Sequence, residues 1–148
     1  MNYERVYGLK DRCPELEIVI NGGLAEIEQI DAALQHVDGA MIGRQAYHRP
    51  YFLAELEHHF NPQSPLPERR EVVLGMLPYV ESVIAAGEPL HRVTRHMLGL
   101  YAGQPGARAW RRHISEHAHR PGAGTEVLTG ALNAMPIAAQ PRTMLGPG

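Results

Sequence analysis

Cysteine is nearly missing: a single one, Cys13, occurs in 148 residues, which excludes an intrachain disulfide and any cysteine-rich zinc cage. That scarcity agrees with a reducing compartment. No apolar run approaches the roughly 18 residues of a helical membrane span, and the first residues, Met1-Asn2-Tyr3-Glu4-Arg5, lack the basic-then-apolar layout of a signal peptide. A cytoplasmic address without membrane contact is therefore expected. Also absent are G-x-S-x-G, the P-loop, G-x-G-x-x-G and H-E-x-x-H. Their absence removes the commonest hydrolase, nucleotide-triphosphate and dinucleotide readings.

What is present is about one domain's worth of chain, with an ordinary 44 % hydrophobic content that allows a real core. The net charge of −2 conceals an asymmetry. Residues 1–87 carry seven Lys/Arg against thirteen Asp/Glu, a balance of −6, and residues 88–148 carry seven against three, a balance of +4. A basic half in an acidic protein points to a polyanion, the bland alternative being a solvated surface.

Along the chain, residues 3–10 read as the end of a helix and residues 16–20 as a short buried strand. After Asn21-Gly22-Gly23, the residues Leu24, Ile27, Ile30, Leu34 and Val37 recur at helical steps. Asp38-Gly39 turns the chain into a second short strand, residues 40–42, closed by Gly43-Arg44, and one further helix is expected from residue 47 to about 60. This is a βαβα unit whose short apolar strands fit a parallel sheet covered on both faces. Two strands cannot make such a sheet alone, so the chain is expected either to dock onto another chain or to have lost its beginning, with exposed apolar edges. The proline-rich stretch 61–67 marks a linker. Beyond it the pattern is helical only, over 68–86, 90–101, 106–119 and 125–135, a four-helix module, and the tail 136–148 is expected to be disordered.

The two glycine-rich stretches follow the carboxyl ends of neighbouring parallel strands, which puts them side by side. Backbone amides there can converge on one oxyanion, and a phosphate is the natural occupant, with Arg44 adding a charge-assisted hydrogen bond. The alternative is a plain tight turn followed by a plain helix entry.

Four stretches, "YERVYGLK", "INGG", "DGAMIGRQAYHRPYFLAEL" and "LGLYAGQPGARAWRRHISEHAH", together resemble the C-terminal part of a tRNA-dihydrouridine synthase, most closely the A subfamily, which acts on the D loop. The resemblance implies an α/β fold: strands 7 and 8 of a (β/α)8 TIM barrel in residues 1–60, a linker at 61–67, and an all-α tRNA-binding bundle in residues 68–135. It implies FMN as cofactor and NADPH as reductant, with tRNA as partner and uridine reduction as the activity. Carried onto matching positions, Asn21, Gly22, Gly23, Gly43 and Arg44 would hold the FMN phosphate, and Arg108 and Arg111 would contact tRNA. The family's catalytic cysteine has no counterpart, since Cys13 sits in a helix-to-strand connection. No catalytic residue is assigned, and the isolated chain is expected to be inactive.

Independently of the resemblance, Arg108, Arg111 and Arg112 with His113 form a basic patch at helical spacing, and Arg92 and Arg95 read equally as its extension or as a solvated helix face. Trp110 is expected to pack between helices rather than stack on a base. His113, His117 and His119 have spacing that suits a metal, but no obvious carboxylate or thiolate joins them, and no metal site is assigned. His58-His59 reads as a polar helix end. Two other readings stand beside the first: a non-catalytic tRNA-binding module, and a different FMN-barrel oxidoreductase.

Overall fold

In the computed structural model, residues 2–136 are described, and the disorder expected for the tail falls, from residue 137, outside them. Helix α1 (Tyr3–Arg12) starts at Asn2, whose side chain accepts from the Arg5 amide at 3.2 Å. Glu4 lies in its first turn and Lys10 and Arg12 in its last, each at the end of the helix dipole that favours it. Strand β1 (Val19–Asn21) starts later than expected. The Ile18 amide is taken by the Asp38 carboxylate at 2.8 Å, and the Asp38 amide donates to the Ile18 carbonyl at 3.0 Å. Helix α2 (Ile27–Leu34) also starts late, because Gln29 Oε1 accepts from the amides of Ala25 at 2.9 Å and Glu26 at 3.2 Å in a capping box. Strand β2 (Gly39–Met41) then pairs in parallel with β1, Val19 opposite Gly39 and Asn21 opposite Met41.

The single helix expected over 47–60 is two helices, α3 (Arg44–His48) and α4 (Phe52–Phe60). Pro50 has no amide to donate and drives Arg49 out of the helical region, so the break falls there. Helix α5 (Arg69–Ala85) opens on a capping box between Glu68 and Glu71 and runs through Pro78. Where a helix was expected over 90–101, only one turn forms, α6 (His91–Thr94), followed by a series of turns. There the carbonyls of Met97 and Leu100 accept from Trp110 Nε1 at 3.1 Å and Arg69 Nε at 3.0 Å, side chains brought in from other elements. Helices α7 (Ala107–His117) and α8 (Glu126–Asn133) complete the order. Among the described residues, no helix is long and apolar enough to cross a membrane.

The chain is thus α/β and rich in helix, with one two-stranded parallel sheet among the described residues. Its apolar side chains form two clusters. The first gathers Ile20, Leu24, Ile30, Ala33, Val37 and Phe52 between one face of the sheet and its helices. The second, larger one is built around Trp110, Val73 and Leu128, all fully buried. Side chains alternate along a strand. Ile20 is therefore 2 % exposed while Val19 is 54 % and Met41 47 % exposed, so within this chain one face of the sheet is covered and the other is open.

Tyr51 and Phe52 are neighbours in sequence but enter different clusters. Tyr51 Oη donates to the Pro67 carbonyl at 2.7 Å, and the Arg69 guanidinium lies 3.6 Å from the centre of its ring. Stretch 61–67 is held against α4 by these contacts. A second link is backbone on backbone: a Cβ added to Gly99 would lie 1.9 Å from the His48 carbonyl oxygen. Only glycine permits that approach. Gly99→Ala is expected to lower the urea-unfolding free energy by about 1–3 kcal/mol through overpacking. Gly75→Ala, on α5 with nothing within 4 Å of the added carbon, is expected to raise it by roughly 0.5–1 kcal/mol.

Candidate functional site

Beyond β1 the backbone takes conformations that side chains resist. Gly22 has φ 141° and Gly23 φ 70°, both in the region that favours glycine. Tyr3 Oη donates to the Gly22 carbonyl, so α1 fixes the loop from behind. The offset of the strand pair continues past its ends: Gln45, in the first turn of α3, donates from Nε2 to the Ala25 carbonyl at 2.9 Å. The loop after β1 and the loop after β2 therefore lie alongside each other at one end of the sheet.

Asn21, Gly23, Gly43 and Arg44 are all exposed there, while Leu24 is buried and anchors the loop. A Cβ on Gly43 would meet only Met41 Sδ, at 3.8 Å, so space alone does not demand glycine at this position. Among the described residues, no carboxylate forms an ion pair with Arg44. Side-chain-poor loops, main-chain amides and an uncommitted guanidinium make a surface that can receive an oxyanion.

The arginines of α7 lie over the second cluster. Arg108, Arg111 and Arg112 are exposed on one side of the helix, and Trp110 and Ile114 are buried on the other. Trp110 is 0 % exposed and bonded to Met97, so it packs between helices as expected. His113 leaves the expected patch: it turns toward α8, where a Cβ on Gly130 would lie 2.8 Å from its Nε2. Its ring stacks on His117 at 4.3 Å, and His119 stacks instead on His91 at 4.5 Å. Arg92 is paired with Glu88, and Arg95 Nε donates to His96 Nε2 at 3.1 Å, so neither simply extends the patch. His58 Nδ1 bonds the Ser64 carbonyl at 2.7 Å and His59 Nε2 meets Asp31 at 2.9 Å, pins rather than a mere polar end.

The family model described as dihydrouridine synthase matches residues 1–135. The chain belongs to the dihydrouridine synthase family. It is 51 % identical over 137 residues to the tRNA-dihydrouridine(20/20a) synthase of Vibrio vulnificus, covering 92 % of this chain and 42 % of that protein. The tRNA-dihydrouridine(20/20a) synthase of Vibrio cholerae is 48 % identical over 137 residues, again 92 % and 42 %. That of Xanthomonas axonopodis pv. citri is 48 % identical over 132 residues, 89 % of this chain and 39 % of that protein. The chain thus spans about two fifths of the length of these dihydrouridine synthases.

Tyr3, Gln45 and Gly99 lie within the family match and were given no role from sequence. Each stands in a stretch that carries the resemblance, which was the one signal available, because their partners are too distant in the chain for a local pattern.

His113 yields a test of how α7 packs on α8. Burial, then the neighbouring His117, holds its imidazole below its ordinary value of 6.5. A histidine with a lowered folded pKa contributes stability that is present above its unfolded value and lost as pH falls below it. The melting temperature is expected to drop as pH goes from 7.5 to 5, with a smaller drop for His113→Gln in the same calorimetric series.

Proposed function

We propose that the chain is the C-terminal part of an FMN-dependent tRNA-dihydrouridine synthase that reduces uridine to 5,6-dihydrouridine in the tRNA D loop, with NADPH as reductant, in the cytoplasm. On this reading, residues 1–60 supply strands 7 and 8 of a (β/α)8 barrel. Residues 61–67 join them to an α-helical tRNA-binding domain at 68–135. The observation that supports it most is the pairing of the two glycine loops. Parallel register and the Gln45–Ala25 bond bring Asn21-Gly22-Gly23 and Gly43-Arg44 onto one open edge.

The residues present fit a phosphate monoester. Glycines at positive φ leave the backbone bare, no methyl group stands at Gly43, and Arg44 is exposed and uncommitted. Asn21, Gly22, Gly23, Gly43 and Arg44 would hold the FMN phosphate. The bound flavin supplies hydride chemistry. The chain's own part is to anchor that phosphate and to hold the RNA. Arg108 and Arg111 neutralise tRNA phosphates from the exposed side of α7, while the buried side keeps the helix in place through Trp110 and Ile114. Contacts of this sort position an RNA rather than read its sequence.

Two measurements on the 148-residue chain test the reading. Arg44→Ala is expected to leave the melting temperature unchanged and to weaken FMN binding roughly tenfold to a hundredfold, with riboflavin binding unaffected. tRNA binding is expected to weaken with salt, and Arg108→Ala with Arg111→Ala to flatten the log–log salt slope by about two. Equal loss of FMN and riboflavin, or a salt slope that the arginine variants do not change, would contradict it.

A further inference from the structure

Tyr47 is a large aromatic residue left 55 % exposed on α3, one helical turn past the Gly43-Arg44 loop. It does not fill a core. Its ring is instead framed edge-on by two imidazoles: His48, at 5.5 Å and 82°, and His96, at 5.6 Å and 80°, the latter from the turns that follow α6. The two segments that make this cluster are fastened together at the same place, where Gly99 lies against the His48 carbonyl. The ring is therefore held before any ligand arrives.

The two segments that frame it carry charge of one sign. Residues 43–51 and 89–101 contain four arginines, three histidines and neither aspartate nor glutamate. Of the arginines, Arg92 is occupied by Glu88. Arg95 uses only its Nε, toward His96, which leaves its terminal nitrogens for an anion. An exposed, pre-oriented aromatic ring beside a guanidinium group is a combination that receives an unstacked base with an adjoining phosphate.

We propose that Tyr47, framed by His48 and His96, is a stacking platform for an unpaired base of the bound tRNA, with Arg95 taking a neighbouring phosphate. The inference rests on the tRNA reading above and adds to it a contact at the seam between the two apolar clusters, away from Arg108 and Arg111.

Binding of unmodified tRNA to the full 148-residue chain, followed by fluorescence anisotropy across a salt series, tests it. Tyr47→Leu is expected to weaken binding roughly tenfold with the salt slope unchanged, because the lost contact carries no charge. Tyr47→Phe is expected to bind like wild type, and Arg95→Ala to lower the slope by about one. A second measurement needs no variant: tRNA carrying 4-thiouridine in its single-stranded loops is expected to crosslink under ultraviolet light to peptides containing Tyr47 or His96. If Tyr47→Leu binds within twofold of wild type and those peptides carry no crosslink, while the Arg108 and Arg111 variants still lose affinity, the platform is overturned and the tRNA reading survives. If wild-type chain binds no tRNA, both fall.

Discussion

The carboxylate of Asp38 fixes the geometry on which the site depends. Its Oδ2 accepts from the Ile18 amide and from Lys10 Nζ, each at 2.8 Å. The lysine bond first, and the Ile18 amide second, hold that carboxyl below its ordinary value, so it is charged at neutral pH. Ile18 is thereby locked beside Asp38, one step before the ladder in which Val19 faces Gly39. A slip of one residue would turn Ile20 outward and Val19 inward, a change the alternating burial of β1 opposes. Lys10 Nζ also donates to the carbonyls of Pro14 at 3.0 Å and Leu16 at 2.7 Å, which orients α1 and brings Tyr3 to the Gly22 carbonyl.

Once that register is set, the placement of the loops follows. Whatever comes after β1 must lie beside whatever comes after β2, and in this chain the first opens on Gly22-Gly23 and the second closes on Gly43 before Arg44. Gln45 repeats the same offset at the far end through Ala25, so the loops are tied at both sides of the opening. From there α3 carries the chain to the second cluster. Gly99 lies against its last carbonyl, and Tyr51 and Arg69 lock the start of α4 to the residues that precede α5. The two glycine loops and the basic face of α7 therefore belong to one linked structure, although their apolar cores are separate.

Much of this was legible in the sequence wherever local chemistry decides. Asn21-Gly22-Gly23 and Asp38-Gly39 announce the βαβα order, and α1, α2, α5, α7 and α8 fall where the 3.6-residue period puts them. Pro50 was in plain view, yet the apolar period runs across it and hides the break between α3 and α4. Long-range contacts account for the other differences. The helix expected over 90–101 shrinks because Arg69 and Trp110, 31 and 13 residues away from their acceptors, take its carbonyls. His113 shares a helix with the basic patch, but periodicity cannot show that Gly130 leaves room for it on the packed side. Tyr3 and Gln45 reach partners 19 and 20 residues away. A glycine pair alone reads as a turn; two such stretches after neighbouring strands, the second with Arg44, point to a phosphate, and the resemblance added that it would be that of FMN and that Arg108 and Arg111 would contact tRNA.

The most direct measurement is a two-dimensional amide NMR titration of the chain with FMN, repeated with riboflavin, which has the same ring system without the phosphate. If the paired loops hold that phosphate, the amides of Gly22, Gly23, Gly43 and Arg44 shift together with FMN and stay in place with riboflavin. Shifts that are the same for both ligands, or that fall outside the two loops, would contradict the placement of a phosphate between them.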